Sequence, residues 1–224
     1  MTYSSIAMIC PSRGRPDMAR TLAESVRETA HDYVSIAMLL DRDDPFADHY
    51  NNGMVAILQT PLPTVSLQWT YGACFSGTDL LRMTNDDEVC ITPGWDKRVL
   101  EVANEYPDGI FALYVNDGFK GESHCAFPIV SRKWVETLGY FAPPYFEFGY
   151  NDTWIMDLAQ RVGRLRYIPD VTIEHRHFTA PNGYPRDATT EMNRQGQGKR
   201  DAERYELLEP IRALDAEKLR AVMT

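Results

Sequence analysis

Paired cysteine motifs are missing from this chain. Its four cysteines, Cys10, Cys74, Cys90 and Cys125, include no CxxC spacing and form no Cys/His cluster with zinc-ligand spacing, which argues against a zinc ribbon or a disulfide framework. No apolar run approaches the roughly 20 residues that a membrane-spanning helix needs. No basic segment precedes the first apolar run, and Pro11 and Arg13 interrupt it early, so no secretory leader is expected. These absences together predict a cytoplasmic protein with free, mostly buried thiols. An excess of basic charge is lacking too. The 23 Lys and Arg face 32 Asp and Glu, a net charge of −9, which makes the chain a poor general binder of phosphate backbones.

The 224 residues, 44% apolar and 25% charged, suffice for one large α/β domain with a sizeable core. Ile6 to Cys10 is a short apolar run ended by Pro11, the pattern of a buried parallel strand. A turn follows at Ser12-Arg13-Gly14-Arg15. Pro16 suits the first turn of a helix, along which Met18, Leu22 and Val26 form one stripe. Val34 to Leu40 reads as a second strand ending in Asp41-Arg42-Asp43-Asp44, and this strand, helix, strand order predicts a parallel sheet. Further strands are expected over 55–58, 80–84, 110–115, 126–130 and 167–174. Helices are expected over 67–75, 96–106, 131–138 and 151–162, the last capped by Asn151 or Asp152. From Pro181 the chain turns polar and turn-rich, the character of a lid or a ligand-ordered loop. Two amphipathic helices, 199–208 and 212–223, then close it. The organisation is a domain over 1–180 with a loop and helical extension over 181–224 packed on it.

Strand ends are where an open α/β sheet presents ligand groups, and two strand ends here are acidic. Asp86, Asp87 and Glu88 repel one another unless a cation or a solvated turn receives them. Hard divalent cations take carboxylate oxygens and keep positions for phosphate. A solvated acidic turn is the competing reading on spacing alone.

The run Leu81-Arg82-Met83-Thr84-Asn85-Asp86-Asp87-Glu88, followed by Pro93-Gly94-Trp95, resembles the acidic motif region of family 2-type GT-A glycosyltransferases. Ile6 to Arg15 is similar to that family's opening strand and nucleotide turn. Gly139-Tyr140-Phe141 and Phe148-Gly149-Tyr150-Asn151-Asp152 resemble its acceptor-side segment. The resemblance covers most of residues 5–177. It implies a GT-A fold, with a mixed, mainly parallel central sheet flanked by helices. The activity it implies is metal-dependent transfer of a sugar from a nucleoside-diphosphate donor, a UDP-sugar first, to an acceptor hydroxyl. Pro11, Ser12, Arg13, Asp41 and Asp86 would then line the donor. Asp87, Glu88 and His175 would hold Mn²⁺ or Mg²⁺, with His177 an alternative to His175. Asp152 would be the general base of an inverting reaction, with Glu147 in reserve. Asn151 departs from the family's usual Glu. Arg176, Arg186 and Lys199 are candidates to pair with phosphate, and Pro143 to Phe146 to form an acceptor platform. Glycans, small molecules and hydroxylated bases in DNA all stay open as acceptors, the last through a likeness to compact phage-type enzymes. A nucleotidyltransferase of related fold and a non-catalytic nucleotide- or carbohydrate-binding module remain the alternatives.

Overall fold

The computed structural model describes residues 2–31, 33–50, 56–194 and 197–224. Eight strands form one sheet in the order β3-β2-β1-β4-β7-β6-β8-β5. They are β1 (Ser5–Ser12), β2 (Tyr33–Asp41), β3 (Ala56–Thr60), β4 (Leu80–Met83), β5 (Glu88–Cys90), β6 (Ala112–Asn116), β7 (Ile129–Ser131) and β8 (Leu165–His175). The helices are α1 (Pro16–Thr29), α2 (Val65–Phe75), α3 (Trp95–Ala103), α4 (Arg132–Leu138), α5 (Asn151–Arg161), α6 (Ala188–Arg194), α7 (Gln197–Leu207) and α8 (Glu209–Ala221). Strands β1 to β4 pair in parallel, as do β6 and β8. Strand β7 runs antiparallel between β4 and β6, and β5 antiparallel on β8. The sheet is therefore mixed and mainly parallel, with helices on both faces.

Period-two alternation divides the core between those faces. Ile6, Met8 and Cys10 of β1 pack with Leu22 and Val26 of α1 and Trp95 and Val99 of α3. Ala7 and Ile9 face Trp69 and Ala73 of α2, Trp134 of α4, Trp154 and Leu158 of α5, and Leu219 of α8. Helix α2 lies so close to the sheet that a Cβ at Gly72 would sit 2.5 Å from Ile9 Cγ2 and 2.8 Å from Leu39 Cδ2.

Some expectations shift. Residue 55, where the third strand was expected to start, lies outside the described residues, as do Gln195 and Gly196 of the turn-rich stretch. Strand β5 was not anticipated, because three residues carry no periodicity. Neither Asn151 nor Asp152 caps α5. The capping position is Tyr150, at φ 64°, and the Asn151 side chain instead accepts a hydrogen bond from Ser66 Oγ at 2.8 Å. The polar segment after Pro181 contains the short helix α6.

Candidate active site

Strands β1, β2 and β4 run parallel, so their C-terminal ends fall on one edge of the sheet. Ser12 ends β1, Asp41 ends β2, and Asn85 to Asp87 follow β4. A cavity of about 800 Å³ opens there, lined by Pro11, Ser12, Arg13, Asp41, Asp86, Asp87 and His175 among others. A second cavity, of about 330 Å³, holds His124 and Asp152 and shares Asn85, Phe148, His175 and His177 with the first. Two chambers thus meet at one wall.

In the larger chamber, Asp41 is fixed from both sides. Arg13 Nη1 donates to its Oδ2 at 2.8 Å and Gln68 Nε2 to its Oδ1 at 2.6 Å. Arg13 also donates to Asp43 at 2.6 Å. Asp86 is buried and accepts from Ser12 Oγ at 2.5 Å and from Arg15 Nη1 at 3.1 Å. Burial pushes its carboxyl up to about 6, with the Asp87 charge adding to this and Arg15 and Ser12 opposing it. Arg15 reaches across the chamber. Its Nε and Nη2 donate to Asp187 at 2.7 and 2.8 Å, and Nη2 to Thr190 Oγ1 at 2.8 Å. Thr189 Oγ1 adds a hydrogen bond to the Arg13 carbonyl at 2.8 Å. The tail segment is thereby tied to the Ser12-Arg13-Gly14-Arg15 turn.

Asp87 and His175 stand together, with Nε2 3.5 Å from Oδ2. Asp87 Oδ1 and His175 Nε2 are buried polar atoms without a hydrogen-bond partner, and such atoms cost free energy unless something receives them. Burial would lower the His175 pKa, but the facing Asp87 carboxylate outweighs it and holds the imidazole above its ordinary value. Burial would likewise raise Asp87, and His175 instead brings it below the usual carboxylate range. A carboxylate oxygen beside an imidazole nitrogen suits Mn²⁺ or Mg²⁺, the former taking imidazole more readily. Among the described residues, no group of three or more His, Cys, Asp or Glu gathers to hold a metal.

Glu88 is a correction. It is fully buried and turned away from the cavity, with Oε2 paired to Arg82 and Oε1 accepting from the Asn85 backbone N–H at 2.7 Å. Both oxygens serve the interior, so Glu88 is removed from the candidate metal ligands. Asp87 lies in the turn that precedes β5, whereas Glu88 opens the strand with its oxygens committed to Arg82 and the Asn85 N–H, so the two do not share an ion here. Glu147 is also withdrawn as a reserve base, since Arg200 and Arg204 hold it at 2.7 and 3.1 Å. His177 stacks on Phe119 with centroids 5.9 Å apart, its Nδ1 2.7 Å from Thr179 Oγ1. Arg176 lines the larger cavity while donating to Glu174 at 2.9 Å. Arg186 lies 4.0 Å from Glu191, and Lys199 is exposed. Neither lines either cavity.

In the smaller chamber, Asp152 Oδ1 accepts from the Thr153 backbone N–H at 2.7 Å and Oδ2 lies 2.8 Å from His124 Nε2. The approach to Asp152 is constrained. Asp201 of α7, fully buried, accepts the backbone N–H groups of Glu147, Phe148 and Gly149 at 3.1, 3.0 and 2.9 Å. Tyr150 then takes the left-handed conformation that side chains other than glycine rarely adopt. Such strain persists where surrounding contacts impose it. Tyr145 and Phe146 pack against Trp154, with centroids 5.4 and 5.7 Å away, and line neither chamber. That removes the Pro143 to Phe146 platform, and Phe119, Phe127 and Phe148 supply the aromatic walls instead.

Sequence reasoning did not single out Arg15, Gln68, His124, Asp187 or Asp201 for the site. Arg15 had a signal, since it shares the Ser-Arg-Gly-Arg turn with Arg13. His124 had none, being one histidine in a loop.

No protein-family model matches the chain, and no curated protein matches it in sequence. Solved structures do match in fold. A mannosyltransferase, PcManGT from Pyrobaculum calidifontis in complex with GDP-Man and Mn²⁺, aligns with TM-score 0.63 at 13% identity, over 98% of this chain and 74% of its own. S. aureus TarS aligns with TM-score 0.58 at 9% identity, over 75% of this chain. TarS 1–349 in complex with UDP aligns with TM-score 0.59 at 10% identity, also over 75% of this chain. The chain spans 36% of TarS and 59% of TarS 1–349. The fold is therefore the GT-A fold of such transferases. Among the described residues, no helix is long and apolar enough to cross a membrane.

Proposed function

We propose that the chain is a metal-dependent glycosyltransferase that moves a sugar from a nucleoside diphosphate, UDP first, to an acceptor hydroxyl with inversion. The observation that carries this is the facing pair Asp87 and His175, whose buried Oδ1 and Nε2 lack a hydrogen-bond partner, with His175 at the wall common to two chambers. A divalent cation, held by Asp87 and His175, would supply charge neutralisation of the leaving diphosphate. Arg13, Asp41 and Gln68 form a rigid polar corner suited to the face of a nucleobase and its ribose. Ser12 and Arg15 hold Asp86 in place beneath the sugar-phosphate portion. Arg176 lines the same cavity, and its backbone N–H donates to the Asp87 carbonyl at 2.8 Å. The acceptor enters the smaller chamber, where Asp152, bonded to His124, stands at the place of proton removal. The neighbours bound to UDP and to GDP-Man with Mn²⁺ support a nucleotide-sugar donor. A nucleotidyltransferase would need more basic residues around the triphosphate than the Arg-Gly-Arg turn offers. The chain's net charge of −9 favours glycan or small-molecule hydroxyls over nucleic acid.

The test is a thermal-shift series with UDP, GDP, CDP and TDP, each with and without Mn²⁺, on the wild-type protein and on Asp87→Ala. One nucleotide is expected to raise the midpoint only with Mn²⁺. Asp87→Ala should abolish that shift and sugar release while keeping the metal-free midpoint. A metal-dependent shift that survives in Asp87→Ala would overturn the metal assignment.

A further inference from the structure

The smaller chamber holds two groups able to take a proton, and they are bonded to each other. His124 sits in the loop between β6 and β7, Asp152 in the first turn of α5, and both line the chamber. An ionised carboxylate only accepts hydrogen bonds. The 2.8 Å contact between His124 Nε2 and Asp152 Oδ2 therefore places the proton on Nε2 and leaves the lone pair of the neutral ring on Nδ1. Asp152 is otherwise committed: Oδ1 accepts from Thr153 N–H at 2.7 Å and from Thr153 Oγ1 at 3.2 Å. His124 Nδ1 makes no hydrogen bond among the described residues. The side chains are 31% and 27% exposed, so the pair is neither sealed in the core nor free in solvent.

We propose that His124, oriented by Asp152, takes the proton of the acceptor hydroxyl, an alcohol or, in its absence, water; this rests on the glycosyl-transfer reading above. The acceptor oxygen uses a lone pair to bond to the anomeric carbon, and its proton passes to Nδ1. The bond from the anomeric carbon to the diphosphate oxygen breaks, and its electron pair leaves on that oxygen. The imidazolium keeps its Nε2–H on Asp152, whose charge offsets the new positive charge, the arrangement by which a buried acid commonly orients a catalytic histidine. Geometry and basicity agree. The hydrogen bond to Asp152 raises the His124 pKa above the ordinary imidazole value against the effect of burial, with Asp117 raising it further and Lys120 opposing. An imidazole raised in this way gains basicity for taking the acceptor proton.

Hydrolysis of UDP-glucose and of GDP-mannose with Mn²⁺, water serving as acceptor, gives a rate to follow against pH without an identified acceptor. In the wild-type protein, kcat should rise with pH through one acid limb set by His124. His124→Gln should lower kcat by about 10²- to 10⁴-fold and remove that limb, with nucleotide binding unchanged by calorimetry. Asp152→Asn should retain a limb but move it to lower pH, because the group that raises the imidazole is gone. Imidazole ¹⁵N NMR of the wild-type protein should show the neutral ring of His124 protonated at Nε2. A wild-type limb that persists in His124→Gln, or a neutral ring protonated at Nδ1, would overturn the proposal and return the base to Asp152 alone. Failure of the wild-type protein to bind any of the nucleotides would overturn the donor reading, and this proposal with it, through a different signal.

Discussion

Replacing Arg82 by Met tests the interior beneath the acidic motif. Arg82 and Glu88 are both fully buried and paired. Arg82 also donates to Thr84 Oγ1 at 2.8 Å, and Glu88 Oε1 holds the Asn85 N–H. Burial pushes the Glu88 pKa up, while Arg82 and the Asn85 N–H pull it back only in part. In Arg82→Met, Glu88 keeps one backbone hydrogen bond and loses its counter-charge. Breaking a buried pair from one side costs about 3–5 kcal/mol, against a total stability of about 5–15 kcal/mol for a domain. At about 2–4 °C per kcal/mol for a chain of this size, the midpoint should fall by about 6–20 °C. The double variant Arg82→Met/Glu88→Met removes the charge left behind and should recover most of that loss. Urea unfolding followed by fluorescence of the four tryptophans, all buried, gives each corner of the cycle. Single-variant costs below about 1 kcal/mol, or a double variant equal to the sum of its parts, would refute the buried-pair argument. Glu88→Gln that weakened Mn²⁺ binding with unchanged stability would restore Glu88 as a metal ligand.

Two further outcomes follow from the packing. Gly72→Ala places a methyl 2.5 Å from Ile9 Cγ2 and 2.8 Å from Leu39 Cδ2; it should cost about 1–3 kcal/mol by overpacking, read as a lower urea midpoint, although alanine is the better helix former. Asp187 is held well below the usual carboxylate range, first by its hydrogen bond from Arg15. A folded pKa below the unfolded one contributes stability that is present above the unfolded value, near pH 4, and is lost as pH falls through the folded value. Asp187→Asn should therefore cost about 1–2 kcal/mol at pH 7, and the gap to wild type should narrow steadily below pH 4 in acid titration followed by fluorescence.

Much of the sheet was legible because apolar runs ended at turn residues. Ile6 to Cys10 stopped at Pro11, and Val34 to Leu40 stopped at Asp41. Strand β5 was not legible, since Glu88-Val89-Cys90 are defined only by their pairing with Ile173, Glu174 and His175. That same pairing decided the fate of the acids. Spacing placed Asp86, Asp87 and Glu88 together, but only the start of β5 at Glu88 shows that this side chain turns inward to Arg82. The proximity of Asp87 and His175, 88 positions apart, was suggested by family likeness and not by any local pattern. His124 and Asp152 come together from a loop and a helix start, and no period or motif in the sequence links them.

The tail illustrates how composition can hide structure. Residues from Pro181 onward read as a polar extension, yet their acids satisfy groups of the preceding domain. Asp187 and Thr190 complete the hydrogen bonds of Arg15, which is also paired to Asp86. Asp201 receives three successive backbone N–H groups just before the strained Tyr150. Asp215 accepts from Tyr140 Oη at 2.5 Å, and Tyr140 Oη in turn accepts from Trp154 Nε1 at 2.9 Å inside α5. An unsatisfied buried polar group costs about 1–3 kcal/mol, so these contacts together weigh on the scale of a domain's whole stability. Asp187, Thr190, Asp201 and Asp215 thus bond directly to residues of the sheet-bearing part of the chain and its helices. The first three hold the turn that lines the larger chamber and the loop that precedes Asp152.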